Sequence, residues 1–172
     1  MSRKILVAYA TRYGSTQEVA EAVATIFREE GLDVESKPAQ KVASLAEHRA
    51  MVLGAPLYFG AWPKEALNLL ARNQEALQGL PVAVFALGPL HDNQKERQEG
   101  RAQLEKTLAG FPWLKPLASE VFCGRYDPAK LRIAHRLIAR LPASPLREVP
   151  ATDGRNWAEI RSWAKELAVR LR

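Results

Sequence analysis

Ala8-Tyr9-Ala10-Thr11-Arg12-Tyr13-Gly14-Ser15-Thr16 stands between two segments of opposite character. Before it, Ile5-Leu6-Val7-Ala8-Tyr9 is an unbroken apolar run of the kind that forms a buried strand. After it, residues 18–30 place Val19, Val23, Ile26 and Phe27 on one face at helical spacing. A hydroxyl-rich turn with one glycine therefore joins a strand to a helix N-terminus. Free backbone N–H groups and the positive end of the helix dipole make such a turn a place to hold a phosphate. Gly14 admits φ > 0 and a close backbone approach. Thr11, Ser15 and Thr16 add hydroxyls. The turn is not a Walker loop, since no Gly-Lys-Ser/Thr follows, and it lacks the glycines of a dinucleotide fingerprint. The plainer alternative is that Ser and Thr only cap the helix.

Working outward, the first strand covers residues 4–10 and Gly31 ends the helix. Residues 32–37 alternate weakly and predict a peripheral second strand. Residues 40–49 are polar, with room for one helical turn. Residues 50–55 predict a buried third strand, followed by the loop 56–62. Pro63 suits a first helical position, with Ala66, Leu67 and Leu70 facing inward. Residues 82–87 predict a fourth strand, 88–93 its exit loop, 94–109 a highly charged helix and 117–123 a fifth strand. Strands alternating with helices predict an open α/β sheet, mostly parallel, with helices on both faces. In such sheets ligands bind outside the carboxyl ends of the strands, at the switch in strand order. The loops 10–16, 56–62 and 88–93 leave strands one, three and four.

A chain of 172 residues is the size of one domain and long enough to bury a full core. No run approaches the roughly 20 apolar residues of a membrane span. The apolar start is too short for a signal peptide and Arg12 interrupts it. One cysteine, Cys123, cannot form an internal disulfide and fits a reducing cytoplasm. With three scattered histidines besides, no zinc or iron–sulfur spacing is present, so no metal is expected.

The net charge of +6 is concentrated locally. Residues 124–150 hold Arg125, Lys130, Arg132, Arg136, Arg140 and Arg147 against Asp127 and Glu148, a net of +4 that leaves +2 for the rest. Within them, residues 128–141 predict an amphipathic helix with Leu131, Ala134, Leu137, Ile138 and Leu141 on one stripe. Three readings compete. The default is a surface helix with its stripe on the core. A second is a helix lying on an anionic membrane through residues 125–147. A third is a site for an acidic ligand or nucleic acid. Nothing interleaves aromatics with the basic residues as a nucleic-acid platform would, so no nucleic acid is expected.

The three strand-exit loops suit one ligand together. The first suits a phosphate monoester. The second carries Tyr58, Phe59 and Trp62, able to stack on a flat ring, or alternatively to pack in a core or form a dimer face. The third offers backbone groups around Gly88 for a ring edge. A phosphate and a flat heteroaromatic ring over adjacent strand ends describe FMN.

The run Thr11-Arg12-Tyr13-Gly14-Ser15-Thr16 resembles the flavodoxin phosphate loop, T-x-T-G-x-T, with Tyr13 in place of the middle hydroxyl residue. Thr-Arg-x-Gly-x-Thr, Leu53-Gly54-Ala55 before the aromatic loop, the Arg-rich segment 124–150 and Asn156-Trp157 opening the last helix resemble the menaquinone-dependent protoporphyrinogen oxidases. These are small flavodoxin-like enzymes, and the resemblance covers nearly the whole chain. It implies a flavodoxin-like five-stranded parallel sheet in the order 2-1-3-4-5, one domain over 1–172 with a basic amphipathic insertion at about 124–150, and FMN as cofactor. It implies phosphate contacts from residues 11–16 and ring contacts from Tyr58, Phe59, Gly60, Ala61 and Trp62 and from Leu87, Gly88, Pro89 and Leu90. It implies oxidation of a porphyrinogen, transfer of electrons to a membrane quinone in heme biosynthesis, and a place in the cytoplasm, peripheral on the inner membrane face. The alternatives are an electron-carrier flavodoxin or an NAD(P)H-dependent quinone reductase. Tyr13 could crowd the phosphate, and Pro89 removes an N–H where a flavin edge is held. His91 and His135 are exposed or capping residues before they are acids or bases, and no catalytic base can be named.

Overall fold

The computed structural model describes residues 3–172, and its centre is a parallel sheet with the strand order β2-β1-β3-β4-β5. The strands are β1 (Lys4–Tyr9), β2 (Val34–Pro38), β3 (His48–Pro56), β4 (Val82–Leu87) and β5 (Ala118–Phe122). The crossovers are α1 (Ser15–Glu29), α2 (Lys64–Arg72) with the short α3 (Gln74–Gln78), and α4 (Gln94–Ala109). The predicted order and the helices on both faces are what the structure has.

The alternation of side chains along each strand builds two cores. Ile5, Val7, Ala50, Val52, Ala83, Phe85 and Leu87 face α1 and the last helix, α6 (Trp157–Arg170). Leu6, Ala8, Met51, Leu53, Val82, Val84 and Ala86 face α2, α3 and α4. A fully buried large side chain contributes roughly 1.5–3 kcal/mol, so register is tightly set: a slip of one residue would exchange the two faces. Gly54 of β3 is dictated by this packing, because a methyl group there would lie 2.0 Å from Cζ of Phe85.

Local boundaries follow the chemistry of the ends. Asn93 caps α4 by accepting from the Glu96 N–H at 2.9 Å, and Asn156 caps α6 by accepting from that of Glu159 at 3.2 Å. Pro63 is the residue before α2, extended at ψ 150°, rather than its first helical residue. Leu67 of α2 is only half-buried, and Leu69 takes the inward place expected of it. The polar stretch 40–49 holds a single 3₁₀ turn, Ala39–Lys41, and then enters β3 at His48.

Beyond β5 the chain pairs β6 (Arg125–Tyr126) antiparallel with β7 (Thr152–Asp153). The intervening residues therefore leave and return at one place, over the carboxyl edge of the sheet. The helix predicted at 128–141 is shorter and broken. A 3₁₀ turn at Pro128–Lys130 is followed by extended Leu131 and Arg132 (ψ 139° and 154°), then α5 (Ile133–Ala139). At the break the Arg132 N–H makes a tertiary bond, donating to the Tyr13 hydroxyl at 3.3 Å, and the Leu131 carbonyl accepts locally from the Arg136 side chain. The stripe does not face the core. Of its residues Leu137 is 62% exposed, Ala134, Ile138 and Leu141 are exposed as well, and Leu131 is half-buried at the cavity; off the stripe, Ile133 is 77% exposed and Ala139 is the one buried residue of α5.

Candidate functional site

The turn after β1 is tied together by its own side chains. Gly14 takes φ +87°, and its N–H donates to Thr11 Oγ1 at 2.9 Å. Thr11 thus shapes the turn rather than pointing a free acceptor outward. No side chain caps α1. The N–H groups of Ser15, Thr16 and Gln17 donate to no protein acceptor among the described residues. Thr16 is fully buried and its hydroxyl has no partner. Unpaired donors at a helix N-terminus beside an orphaned buried hydroxyl are what an anion would satisfy.

A cavity of about 260 Å³ opens next to this turn. Its floor is the carboxyl ends of β3 and β4, through Pro56, Leu57, Leu87, Gly88 and Leu90. Tyr13, Tyr58 and Phe59 wall it, with Gly60 at the φ +83° corner of the second loop. Tyr13 and Tyr58 meet edge to face with ring centres 6.0 Å apart. Burial pushes the Tyr58 hydroxyl up to about 12, so it stays protonated as a donor. Arg12 lies over the far side of the Tyr58 ring, 5.8 Å from its centre, and does not line the cavity.

Three residues expected at the ring lie away from the cavity. Trp62 is 3% exposed and packs in the α2–α4 core, because the turn that pairs Tyr58 with Ala61 directs the next side chain inward. Ala61 points to solvent and Pro89 is buried against Gly100 of α4, so neither lines the cavity. The third-loop N–H groups that border the cavity, those of Gly88 and Leu90, are already taken. The Gly88 N–H donates to the Phe122 carbonyl at 3.2 Å, and those of Leu90 and His91 donate to the Glu96 carboxylate at 2.9 and 3.0 Å. His91 is an exposed partner of the same carboxylate.

The remaining wall comes from the exit of β5, which the reading of strands one, three and four leaves out. Arg125, Tyr126, Lys130, Leu131, His135 and Leu146 close the cavity from above. This roof is pinned to the first loop at Tyr13. The Tyr13 hydroxyl bonds to Nδ1 of His135, and its carbonyl accepts from Nη2 of Arg125 at 3.2 Å. Beneath lies a charge quartet. Glu18 holds Arg125 at 3.2 Å and Arg155 at 2.6 Å, and Arg155 also chelates Asp153. Burial alone would raise the Glu18 carboxyl, but Arg155 and then Arg125 hold it below the usual carboxylate range.

A model of the flavodoxin domain matches residues 6–149. The chain belongs to the flavodoxin-domain family. Its fold matches a point mutant of flavodoxin from Pseudomonas aeruginosa at TM-score 0.60, with 16% identity and 98% of each chain covered. It matches oxidised flavodoxin 2 from Bacillus cereus at 0.56, with 19% identity, covering 96% of this chain and 95% of that one. In sequence it is 21% identical over 175 residues to protoporphyrinogen IX dehydrogenase (quinone) of Escherichia coli K12, covering 96% of this chain and 94% of that protein. Membership of a family of FMN flavoproteins gives this flavodoxin-like chain FMN as its cofactor and places it among oxidoreductases. The residues fit that group: the unpaired N–H groups and orphaned Thr16 hydroxyl suit its phosphate, and the aromatic-walled cavity suits its ring. Among the described residues no helix is long and apolar enough to cross a membrane.

Proposed function

We propose that this chain is one flavodoxin-like domain over 1–172, with 124–150 as an insertion, that oxidises a porphyrinogen, protoporphyrinogen IX, and delivers the electrons to a quinone. The observation that carries this reading is the roof, which sets basic and apolar side chains together over the cavity at the strand ends. A porphyrinogen is a large apolar macrocycle bearing carboxylates, and a quinone is a lipid-soluble ring. The relative named protoporphyrinogen IX dehydrogenase supports the same reading over nearly the full length.

Bound FMN supplies the redox chemistry, taking up hydrogen from a donor and yielding electrons to an acceptor. In this reading Ser15 and Thr16 hold its phosphate through backbone N–H and hydroxyl groups, while Thr11 and Gly14 keep the turn open. Tyr13, Tyr58 and Phe59 would flank the ring, and Leu57, Leu87 and Leu90 would exclude water from the cavity floor. Lys130, at the rim, attracts the donor's carboxylates. His135 is engaged by Tyr13 and serves as a wall.

The exposed apolar residues at α5 give the quinone its route. Ile133, Leu137, Ile138 and Leu141 face outward among Lys130, Arg132, Arg136 and Arg140, the pattern of a helix that lies in an anionic lipid interface. The protein would then sit peripherally on the inner face of the cytoplasmic membrane.

The test is anaerobic bleaching of the flavin by protoporphyrinogen IX followed by recolouring with menadione. Bleaching by NADPH instead would favour a quinone reductase. Reduction by neither, but by a protein donor, would favour the electron-carrier reading, which the solved flavodoxins support. Binding to vesicles with anionic lipid, lost when 125–147 is deleted, tests the membrane contact. Dimers in sedimentation with no vesicle binding would assign the apolar face to a second copy.

A further inference from the structure

We propose that Arg125 is a phosphate-binding residue of the flavin site, reaching from the roof to the N-terminus of α1 and selecting FMN over riboflavin. The proposal rests on the flavin cofactor and is independent of which donor or acceptor the protein uses.

Four observations support it. First, Arg125 lines the cavity and its guanidinium lies over the glycine of the first turn: a side-chain carbon on Gly14 would be 4.0 Å from Nη2. Second, the turn it covers has the unpaired N–H groups and the orphaned Thr16 hydroxyl. Third, Glu18 in the first turn of α1 would repel a phosphate unless neutralised, and it has two arginines, one on each oxygen. Arg155 is the fixed one, 4% exposed, at 2.6 Å and chelated by Asp153. Arg125 is the more exposed and less tightly held one, 24% exposed and 3.2 Å from Glu18, with Nη2 also donating to the Tyr13 carbonyl of the turn at 3.2 Å. Arg125 can therefore turn to a phosphate without leaving Glu18 unpaired. Fourth, a phosphate monoester carries about −1.5 to −2 charge against −1 for a carboxylate, and offers the planar guanidinium fork a bidentate partner. Arg12, also in the loop, stacks over Tyr58 and does not line the cavity, whereas Arg125 does.

The experiment titrates flavin-free protein with FMN and with riboflavin, following quenching of flavin fluorescence. Arg125→Gln is expected to weaken FMN binding tenfold or more and to leave riboflavin binding within twofold, so that the preference between the two flavins falls by the same factor. Arg125→Lys should retain part of that preference, and the salt dependence of FMN binding should flatten in Arg125→Gln. Equal losses for both flavins would make Arg125 a structural tie of the roof and overturn the proposal, as would unchanged FMN binding. Should Arg125→Gln fail to fold, Glu18→Gln provides the second variant. Releasing Arg125 from Glu18 should tighten FMN and not riboflavin, and no change in FMN binding would count against the role. Failure to oxidise protoporphyrinogen IX would sink the functional reading and leave these titrations standing.

Discussion

Every side chain of β4 is buried, Ala83, Phe85 and Leu87 on one face of the sheet and Val82, Val84 and Ala86 on the other, whereas α5 leaves Ile133, Leu137 and Ile138 in solvent. Both segments are rich in aliphatic residues. The sheet satisfies them within the chain, since a strand flanked by strands and covered by helices has nowhere else to put them. The roof is joined by a two-residue strand pair and a few side-chain bonds, too little surface to bury a helix face. A hydrophobic pattern thus states that a face will be covered, but not by what. Apolar groups turned outward among arginines are the surface on which the proposed membrane contact rests.

The contrast can be broken most severely at Gly54. Gly54→Ala drives a methyl group into the Phe85 ring, and overpacking of this kind costs about 3 kcal/mol; urea unfolding should show the loss. The next effect belongs to the roof. Arg136→Gln with Arg140→Gln should weaken binding to anionic vesicles by about 2 kcal/mol, near 30-fold, at about 1 kcal/mol per basic residue. In the same measurement of stability this variant should cost less than about 1 kcal/mol, since the bonds it removes, from Arg136 to the Ala129 and Leu131 carbonyls, are exposed. Tyr13→Phe removes the bonds to His135 and to the Arg132 N–H, each worth about 1 kcal/mol. Trypsin should then cut within 130–147 faster while the unfolding midpoint moves little, which sharpens the division between the two regions. Ile133→Ser with Leu137→Ser should change stability by less than about 0.5 kcal/mol, as exposed positions do, and a larger loss would mean the face is covered after all.

The last effect is confined to acid. Burial would raise the Glu96 carboxyl, but the N–H of His91, its ring, the Asn93 amide and the Leu90 N–H outweigh that and hold it down to about 2 from 4.5. A carboxyl depressed in the folded state stabilises above its unfolded value and loses that contribution as the pH falls through its folded one. Wild type should therefore lose stability between about pH 4.5 and 2, and Glu96→Gln should be flatter across that window.

How far the sequence reveals this molecule depends on whether the determining contacts are local. β4 and α4 match their predicted bounds to the residue, because apolar runs and an Asn cap are written in place. Trp62 misleads, since an aromatic in a loop has no periodicity to show which way it points. The break at Leu131 and Arg132 carries no glycine or proline, and the tertiary bond made there goes to Tyr13, distant in the chain. Two donors of the third loop, the N–H groups of Leu90 and His91, are taken by Glu96, a residue of the following helix, and that of Gly88 by the Phe122 carbonyl. The strands β6 and β7 are too short to leave a pattern, and with them the roofing of the site by Arg125 and His135 stays hidden. The exit of β5 is nevertheless a strand end like the others, and counting it would have drawn those residues in.

Tyr13 carries three bonds to the roof, from Arg125, Arg132 and His135, while standing in the turn that precedes α1. One residue therefore belongs to two sites at once, through its phenol and its carbonyl. Losing the phenol would strand both the His135 imidazole and the Arg132 N–H, so a change made in the first loop is felt in the cover above it.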